Sequence, residues 1–246
     1  MNISKWFAGW FLLSFPVLHA ATLDPSIIHQ WNLDETSGKT AYDSVGGWNF
    51  TVVGGATLGV PAVEDTGVAL TGSREFLSTG LVDTSFLLSD FSITLWVLFS
   101  NAGGSHGLLE FAYGNVTLGV KLDDITLQPQ LATSSAASTD NTPTMNDGQW
   151  HLISMVNSAN VVTMYMDATA VQSLKTPAFS SSTVFEVGSY DGHYLSDGTV
   201  DDITIYNRAL SASEIAAQAV PEPGTTGLML AGAIASLRRP RKGRSI

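Results

Sequence analysis

The side chains best equipped for chemistry lie in two loops. Tyr190-Asp191-Gly192-His193-Tyr194 sets two phenol rings around a carboxylate, an imidazole and a glycine turn, and Trp48 supplies an indole in a second loop. Aromatic rings can stack on the apolar face of a ligand while polar neighbours hydrogen-bond its hydroxyls. The same composition also builds ordinary loops. The carboxylates look less useful. Retaining cleavage of a glycosidic bond needs two carboxyl groups about 5 Å apart, which on one strand means acids two positions apart. No Glu-x-Asp-x-Glu string occurs. Glu110 stands alone, and the adjacent acids Asp123-Asp124 and Asp201-Asp202 are expected to point to opposite faces. There is no cysteine, which excludes a disulfide framework, a thiolate metal site and a cysteine nucleophile. Nucleophile-elbow, zinc-protease and phosphate-loop motifs are also missing. The residues therefore predict a chain without enzymatic activity.

The elements that must position these groups are short strands. Of 246 residues, 44% are hydrophobic and only 13% charged, against roughly 25% charged in an ordinary domain. Between residues 21 and 219 five basic residues face 21 acidic ones, a net charge of −16. Such a body repels nucleic acid, whereas dispersed carboxylates suit calcium, which takes oxygen ligands. Phe91, Ile93, Leu95, Val97 and Phe99 alternate with Ser92, Thr94, Trp96 and Leu98, the period of a strand with one buried face. Similar runs occupy Ile27–Leu33, Asn49–Val53, Gly67–Leu70, Glu75–Ser78, Gly107–Tyr113, Val116–Leu122, Ile125–Leu131, Trp150–Asn157, Val161–Asp167, Val171–Leu174, Val184–Gly188 and Val200–Tyr206. Their spacing predicts an all-β sandwich or barrel. One helix is expected, opened by the capping box Ser211-Ala-Ser-Glu214 and stopped by Val220-Pro221. Asp167-Ala168 is a turn signal, but Ala adopts positive φ at a cost, so a longer hairpin loop is expected there. The polar stretch 133–144 reads as a surface loop within one domain.

Several segments carry a family signature. They include Trp31-Asn-Leu33-Asp34-Glu35-Thr-Ser-Gly38, Ala41-Tyr42-Asp43-Ser44, Phe91-Ser-Ile93-Thr-Leu95-Trp96-Val97, Asp147-Gly-Gln-Trp150-His151 and Met164-Tyr165-Met166-Asp167. The last is Gly198-Thr-Val200-Asp201-Asp202-Ile203-Thr-Ile205-Tyr206-Asn207-Arg208-Ala209-Leu210-Ser211. Together they resemble the laminin-G-like, concanavalin-A-like jelly-roll family over nearly all of residues 27–216. The resemblance implies two stacked antiparallel sheets with one short C-terminal helix, over a domain of residues 21–219. It also implies a structural calcium between the chain's start and its last strand, held by Asp201, Asp43 and Asp34. Jelly-roll lectins bind saccharides through an aromatic platform and a few polar groups, which here would be Tyr190, Asp191, His193, Tyr194 and Trp48.

Both termini are apolar. Lys5 followed by Trp6–Leu18 and Ala20 has the shape of a secretory signal peptide over residues 1–20. At the other end Pro221-Glu222-Pro223 precedes an apolar run, Thr225–Leu237, and a cluster of Arg238, Arg239, Arg241, Lys242 and Arg244. Residues 220–246 resemble the PEP-CTERM sorting signal. That resemblance implies inner-membrane anchoring through the C-terminus, an exosortase-type processing enzyme as partner, and a final place at the surface or matrix of a Gram-negative-type cell. The expectation is an exported, envelope-associated, non-catalytic adhesion protein that recognises extracellular polysaccharide in a lectin-like way, or a surface protein. The alternatives are a matrix scaffold without a specific ligand and, less favoured, a polysaccharide-cleaving enzyme of the same fold.

Overall fold

The computed structural model describes residues 24–71, 74–99, 106–123, 126–134, 136–138, 142–179, 182–195 and 197–220. The expected signal peptide, almost all of the expected sorting signal and Asp124 lie outside these residues. The first strands are β1 (Ile27–Trp31), β2 (Thr40–Ala41), β3 (Phe50–Val53), β4 (Thr57–Pro61), β5 (Thr66–Leu70) and β6 (Phe76–Asp83). The middle contributes β7 (Phe91–Phe99), β8 (His106–Tyr113), β9 (Val116–Leu122), β10 (Pro129–Thr133), β11 (Ala136–Ala137) and β12 (Trp150–Ser158). Then follow β13 (Val161–Met166), β14 (Thr169–Lys175), β15 (Ser182–Val187), β16 (Ser189–Tyr190), β17 (His193–Tyr194), β18 (Gly198–Tyr206) and the helix α1 (Ala212–Gln218).

Two antiparallel sheets form a jelly-roll sandwich. Sheet A runs β14-β13-β12-β7-β18-β5-β4, with β1 also on β18, and sheet B runs β11-β10-β9-β8-β15-β6-β3-β2. The alternation of β7 explains its central place in sheet A: Phe91, Ile93, Leu95, Val97 and Phe99 are all buried in the core between the sheets. Across from them Phe111 and Phe185 stack at 4.4 Å with their rings 7° apart, and Trp31 lies against Phe50 at 4.6 Å. Each such side chain contributes about 1.5–3 kcal/mol by leaving water. The opposite face of β7 is covered too. Trp96 joins Leu152, Val156, Tyr206, Leu210 and Ile215 in a second apolar cluster. The helix builds this cluster by laying Ile215 on the outer face of sheet A. Its capping box forms as the sequence predicts, with Ser211 accepting from the Glu214 amide and the Glu214 carboxylate accepting from Ser211.

Two local readings are corrected. The strand expected over Ile125–Leu131 begins at Pro129, because Asp123 caps a turn through the Thr126 amide at 2.8 Å and Leu127 sits at φ 55°. The β13–β14 hairpin does not lengthen its loop. Met166 pairs with Thr169, leaving Asp167 (φ 47°) and Ala168 (φ 68°) as a two-residue turn. The Ala168 methyl packs against the second apolar cluster, which offsets the backbone strain.

The β12–β13 hairpin repeats the device with Ala159 (φ 50°) and Asn160 (φ 63°), and here Ala159 is exposed. With no packing to compensate, Ala159→Gly is expected to raise stability by about 0.5–1 kcal/mol. A higher chemical-denaturation midpoint checks it; an unchanged midpoint would mean the turn carries no strain.

Candidate functional site

The outer face of sheet B is built from a strand pair and a hairpin that folds back over it. In the β8–β15 register Phe111 opposes Phe185 and Glu110 opposes Glu186. Alternation sends the two rings into the core and both glutamates outward. The hairpin of β16 and β17 then lies on β8 at Gly107, where a Cβ would collide with the backbone of Ser189, Tyr190 and His193. Two hydrogen bonds fasten it. The Ser189 hydroxyl and the Asp191 amide each donate to a different oxygen of Glu110, both at 3.1 Å. Glu186 accepts from the Ser78 hydroxyl at 3.3 Å. Burial pushes both carboxyls above the usual range, and the charge of Glu186 pushes Glu110 further.

Beside this hairpin is a cleft of about 560 Å³ lined by Asn115, Thr117, Lys121, Thr133, Tyr190 and Asp191. Tyr190 is largely buried, with its hydroxyl 3.3 Å from that of Thr117. Tyr194 stacks on Phe76 at 5.5 Å, and Asp191 and His193 are exposed. Four expected ligand residues thus share one hairpin, and two of them line the cleft. Trp48 does not join them. It lies in the β2–β3 connection at the far edge of sheet B, stacked on His29 at 3.7 Å.

The expectation that no two carboxyl groups would be brought together is overturned by Glu110 and Glu186. They are separated by 76 positions, and only strand pairing makes them neighbours. No local string could reveal them, nor the polar rim of Asn115 and Lys121. The one sequence trace is Gly107, which leaves room for the hairpin.

The acids proposed for calcium are differently employed. Asp43 is buried and accepts from His29 Nδ1 (2.6 Å) and from the amides of Gln30, Val45, Gly46 and Trp48. Although burial alone would raise its carboxyl, these donors hold it well below the carboxylate range. Asp201 accepts from the Glu64 and Asp202 amides, and Asp34 from the Thr66 amide at 3.2 Å. Among the described residues no three acidic or histidine side chains are arranged to hold a metal ion. Both oxygens of Asp43 are taken up by these donors, whereas the charge of Asp34 reaches Asp201.

Asp201 and Asp202 do not alternate faces as expected. Asp201 pairs with Trp96 and Thr204 with Thr94, so β18 carries one extra residue, and Asp202 sits at φ 43°. This bulge re-aims a side chain, and both acids fall between the inward-facing Val200 and Ile203. The bulge marks a junction: β5 pairs with Val200 and the residues before it, while β1 pairs from Ile203 onward.

A family profile described as the concanavalin A-like lectin/glucanases superfamily matches residues 71–216. The chain belongs to that superfamily. Solved structures share the fold at low identity. Trypanosoma rangeli sialidase in complex with sialic acid matches with TM-score 0.66 and 18% identity, over 84% of this chain and 35% of its own. The binding domain of Paraclostridial Mosquitocidal Protein 1 gives TM-score 0.59 and 13% identity, over 79% and 52%. The receptor binding domain of botulinum neurotoxin C/D mosaic serotype gives TM-score 0.56 and 13% identity, over 79% and 51%. The chain spans about a third of the sialidase and half of each toxin domain. A comparison with curated protein sequences finds no match.

The expectation of a chain without enzymatic activity is corrected accordingly. A sialidase shares this fold as binding domains do, and Glu110 and Glu186 are cross-strand partners in sheet B.

Proposed function

We propose that this protein is an exported, envelope-associated carbohydrate-binding protein whose saccharide lies in the cleft beside the β16–β17 hairpin. The observation that carries the reading is the cleft itself. Its volume of about 560 Å³ falls within the range of small-ligand sites. A tyrosine wall and the hydroxyl, amide, ammonium and carboxylate groups around it provide donors and acceptors for sugar hydroxyls. A fold shared with a sialidase solved with sialic acid and with toxin binding domains supports the same reading. The net charge of −16 over residues 21–219 argues against nucleic acid as the partner of that body. Export and anchoring rest on the apolar termini and their resemblance to sorting signals. Among the described residues no helix is long and apolar enough to cross a membrane.

A glycan array probed with the full chain tests the proposal. Reproducible binding to a polysaccharide class is expected, and Lys121→Ala is expected to weaken it roughly tenfold by removing a charged hydrogen-bond donor. An array without hits, or hits that Lys121→Ala leaves untouched, would overturn the site.

A second reading adds bond cleavage at the same sheet, and Glu110 opposite Glu186 favours it. Cross-strand neighbours bring their Cβ atoms to about 4.5–5.5 Å, compatible with the carboxyl spacing of retaining hydrolysis. Glu110 is only 4% exposed and tied to the hairpin, so binding stands first. Release of reducing ends from an array-positive glycan would promote the second reading.

A further inference from the structure

The sheet B cleft holds a charge that the fold leaves unpaired. Of the five cations between residues 21 and 219, Lys39, Arg74 and Lys175 are exposed, and only Lys121 and Arg208 are half-buried. Arg208 is paired twice, with Asp24 and with Glu214. Lys121 forms no ion pair among the described residues, although acids outnumber bases 21 to 5 in this body. A half-buried ammonium has lost part of its water, and a facing anion is the partner that compensates it best. In the strand register Lys121 lies between Gly107 of β8 and Gln130 of β10. Gly107 is where the β16–β17 hairpin rests its backbone on the sheet. The lysine therefore stands at the foot of the hairpin, and it lines the cleft beside it. Asp191, exposed at the hairpin tip, lines the same cleft, yet its carboxylate makes no ion pair with Lys121. Ala132 and Ala137, cross-strand partners on β10 and β11, add a small apolar surface.

These three features ask for three groups on one ligand: a carboxylate for Lys121, hydroxyl donors for Asp191, and a C–H face for the alanines. A pyranose oxidised to the acid at C6 carries all three. A neutral hexose offers the ammonium hydroxyl oxygens only, which accept more weakly than a carboxylate. The net charge of −16 that argues against nucleic acid also disfavours a long polyanion. A single carboxylate beside Lys121 is less affected, because charges beyond about 8–10 Å are largely screened at physiological salt. We propose that the cleft selects a hexuronic acid residue set singly in an otherwise neutral glycan, and that Lys121 is the specificity-determining residue. The inference rests on the carbohydrate reading of this cleft and names the sugar class. The Lys121 ammonium donates to the C6 carboxylate, and the Asp191 carboxylate accepts from the ring hydroxyls.

The test is an NMR-detected titration of the full chain with methyl glucuronide and methyl galacturonide. Each is compared with its methyl ester, which keeps the ring and its hydroxyls but loses the charge, and with the neutral methyl hexoside. Saturable binding of at least one acid, roughly tenfold tighter than its ester, is expected, with shifts on the amides of β9 and the hairpin. Lys121→Met, close in length and uncharged, is expected to bring acid and ester to equal affinity, whereas Lys121→Arg keeps the preference. Acid and ester binding alike, saturation by the neutral forms alone, or an acid preference that survives in a folded Lys121→Met chain would overturn the inference and leave the cleft as a sugar site. No saturation by acids, esters or hexosides would overturn it together with the carbohydrate reading.

Discussion

Replacing Asp43 by alanine is expected to lower the stability of the folded body by about 3–5 kcal/mol. The carboxylate gathers five donors, His29 Nδ1 and the amides of Gln30, Val45, Gly46 and Trp48, at 2.6–3.0 Å. Its removal strands His29 in a buried place and leaves the loop amides without the acceptor that shapes the turn, and an unmade buried hydrogen bond costs more than a made one contributes. The damage extends to the core. The loop carries Trp48, whose carbonyl accepts from the Trp31 indole at 2.8 Å, and Trp31 is fully buried. Asp43→Asn keeps one acceptor oxygen but turns an amide donor toward other donors, so it should recover only part of the loss. Urea denaturation at neutral pH measures both variants. A loss under about 1 kcal/mol for the alanine variant would show that the loop finds other acceptors.

Stability is expected to peak at about pH 4 and to fall on both sides, because two sets of carboxyls titrate in opposite directions from the same unfolded value. Burial is the main cause that raises Asp201 to about 8 and Asp202 to about 7; the charge of Asp202 adds to the first and that of Glu64 to the second. A carboxyl raised above its unfolded value stabilises the fold fully at low pH. That contribution disappears as pH climbs through the folded value. Asp43 does the reverse. Its depressed carboxyl stabilises the fold above the unfolded value, near pH 4, and loses the contribution as pH falls. Between pH 5 and pH 8 the aspartate pair should cost on the order of 3 kcal/mol. Asp202→Asn should remove much of that slope and add about 1–2 kcal/mol at pH 8. It sacrifices no hydrogen bond, and Asn tolerates the left-handed backbone that Asp202 adopts. Denaturation midpoints at pH 5, 6.5 and 8 decide the matter, and a flat profile in the wild-type chain would refute it.

The elements were readable where a local pattern and the tertiary structure agree. β7 alternates for nine residues and is the central strand, and Ser211 and Glu214 cap the helix that their spacing announces. Three features needed the third dimension. The bulge at Asp202 adds one residue to a run that otherwise alternates, and only the register against β7 exposes it. The Glu110–Glu186 pair joins strands remote in sequence, so a search for acids two apart on one strand passes over it. Ala168 occupies a turn position its residue type disfavours because its methyl has an apolar cluster to rest on. In the candidate site, Tyr190 and Asp191 were visible as an aromatic–polar loop. What they face was not, since Asn115, Thr117 and Lys121 belong to β9 and to the turn before it.

β1 and β18 run antiparallel with Ile27 opposite Tyr206, and beyond them Arg208 joins Asp24 at 2.6 Å and Glu214 at 2.7 Å. The outer ends of this strand pair therefore lie at one corner, and α1 carries the chain on from there across the outer face of sheet A. Tension applied between Asp24 and Val220 does not shear the strand pair along its length; it peels α1 from sheet A, opens the ion pairs, and then unzips β1 from β18 one rung at a time. Held by one end only, the same body carries no load through its sheets, and the two outer faces stay free to meet whatever drifts against them.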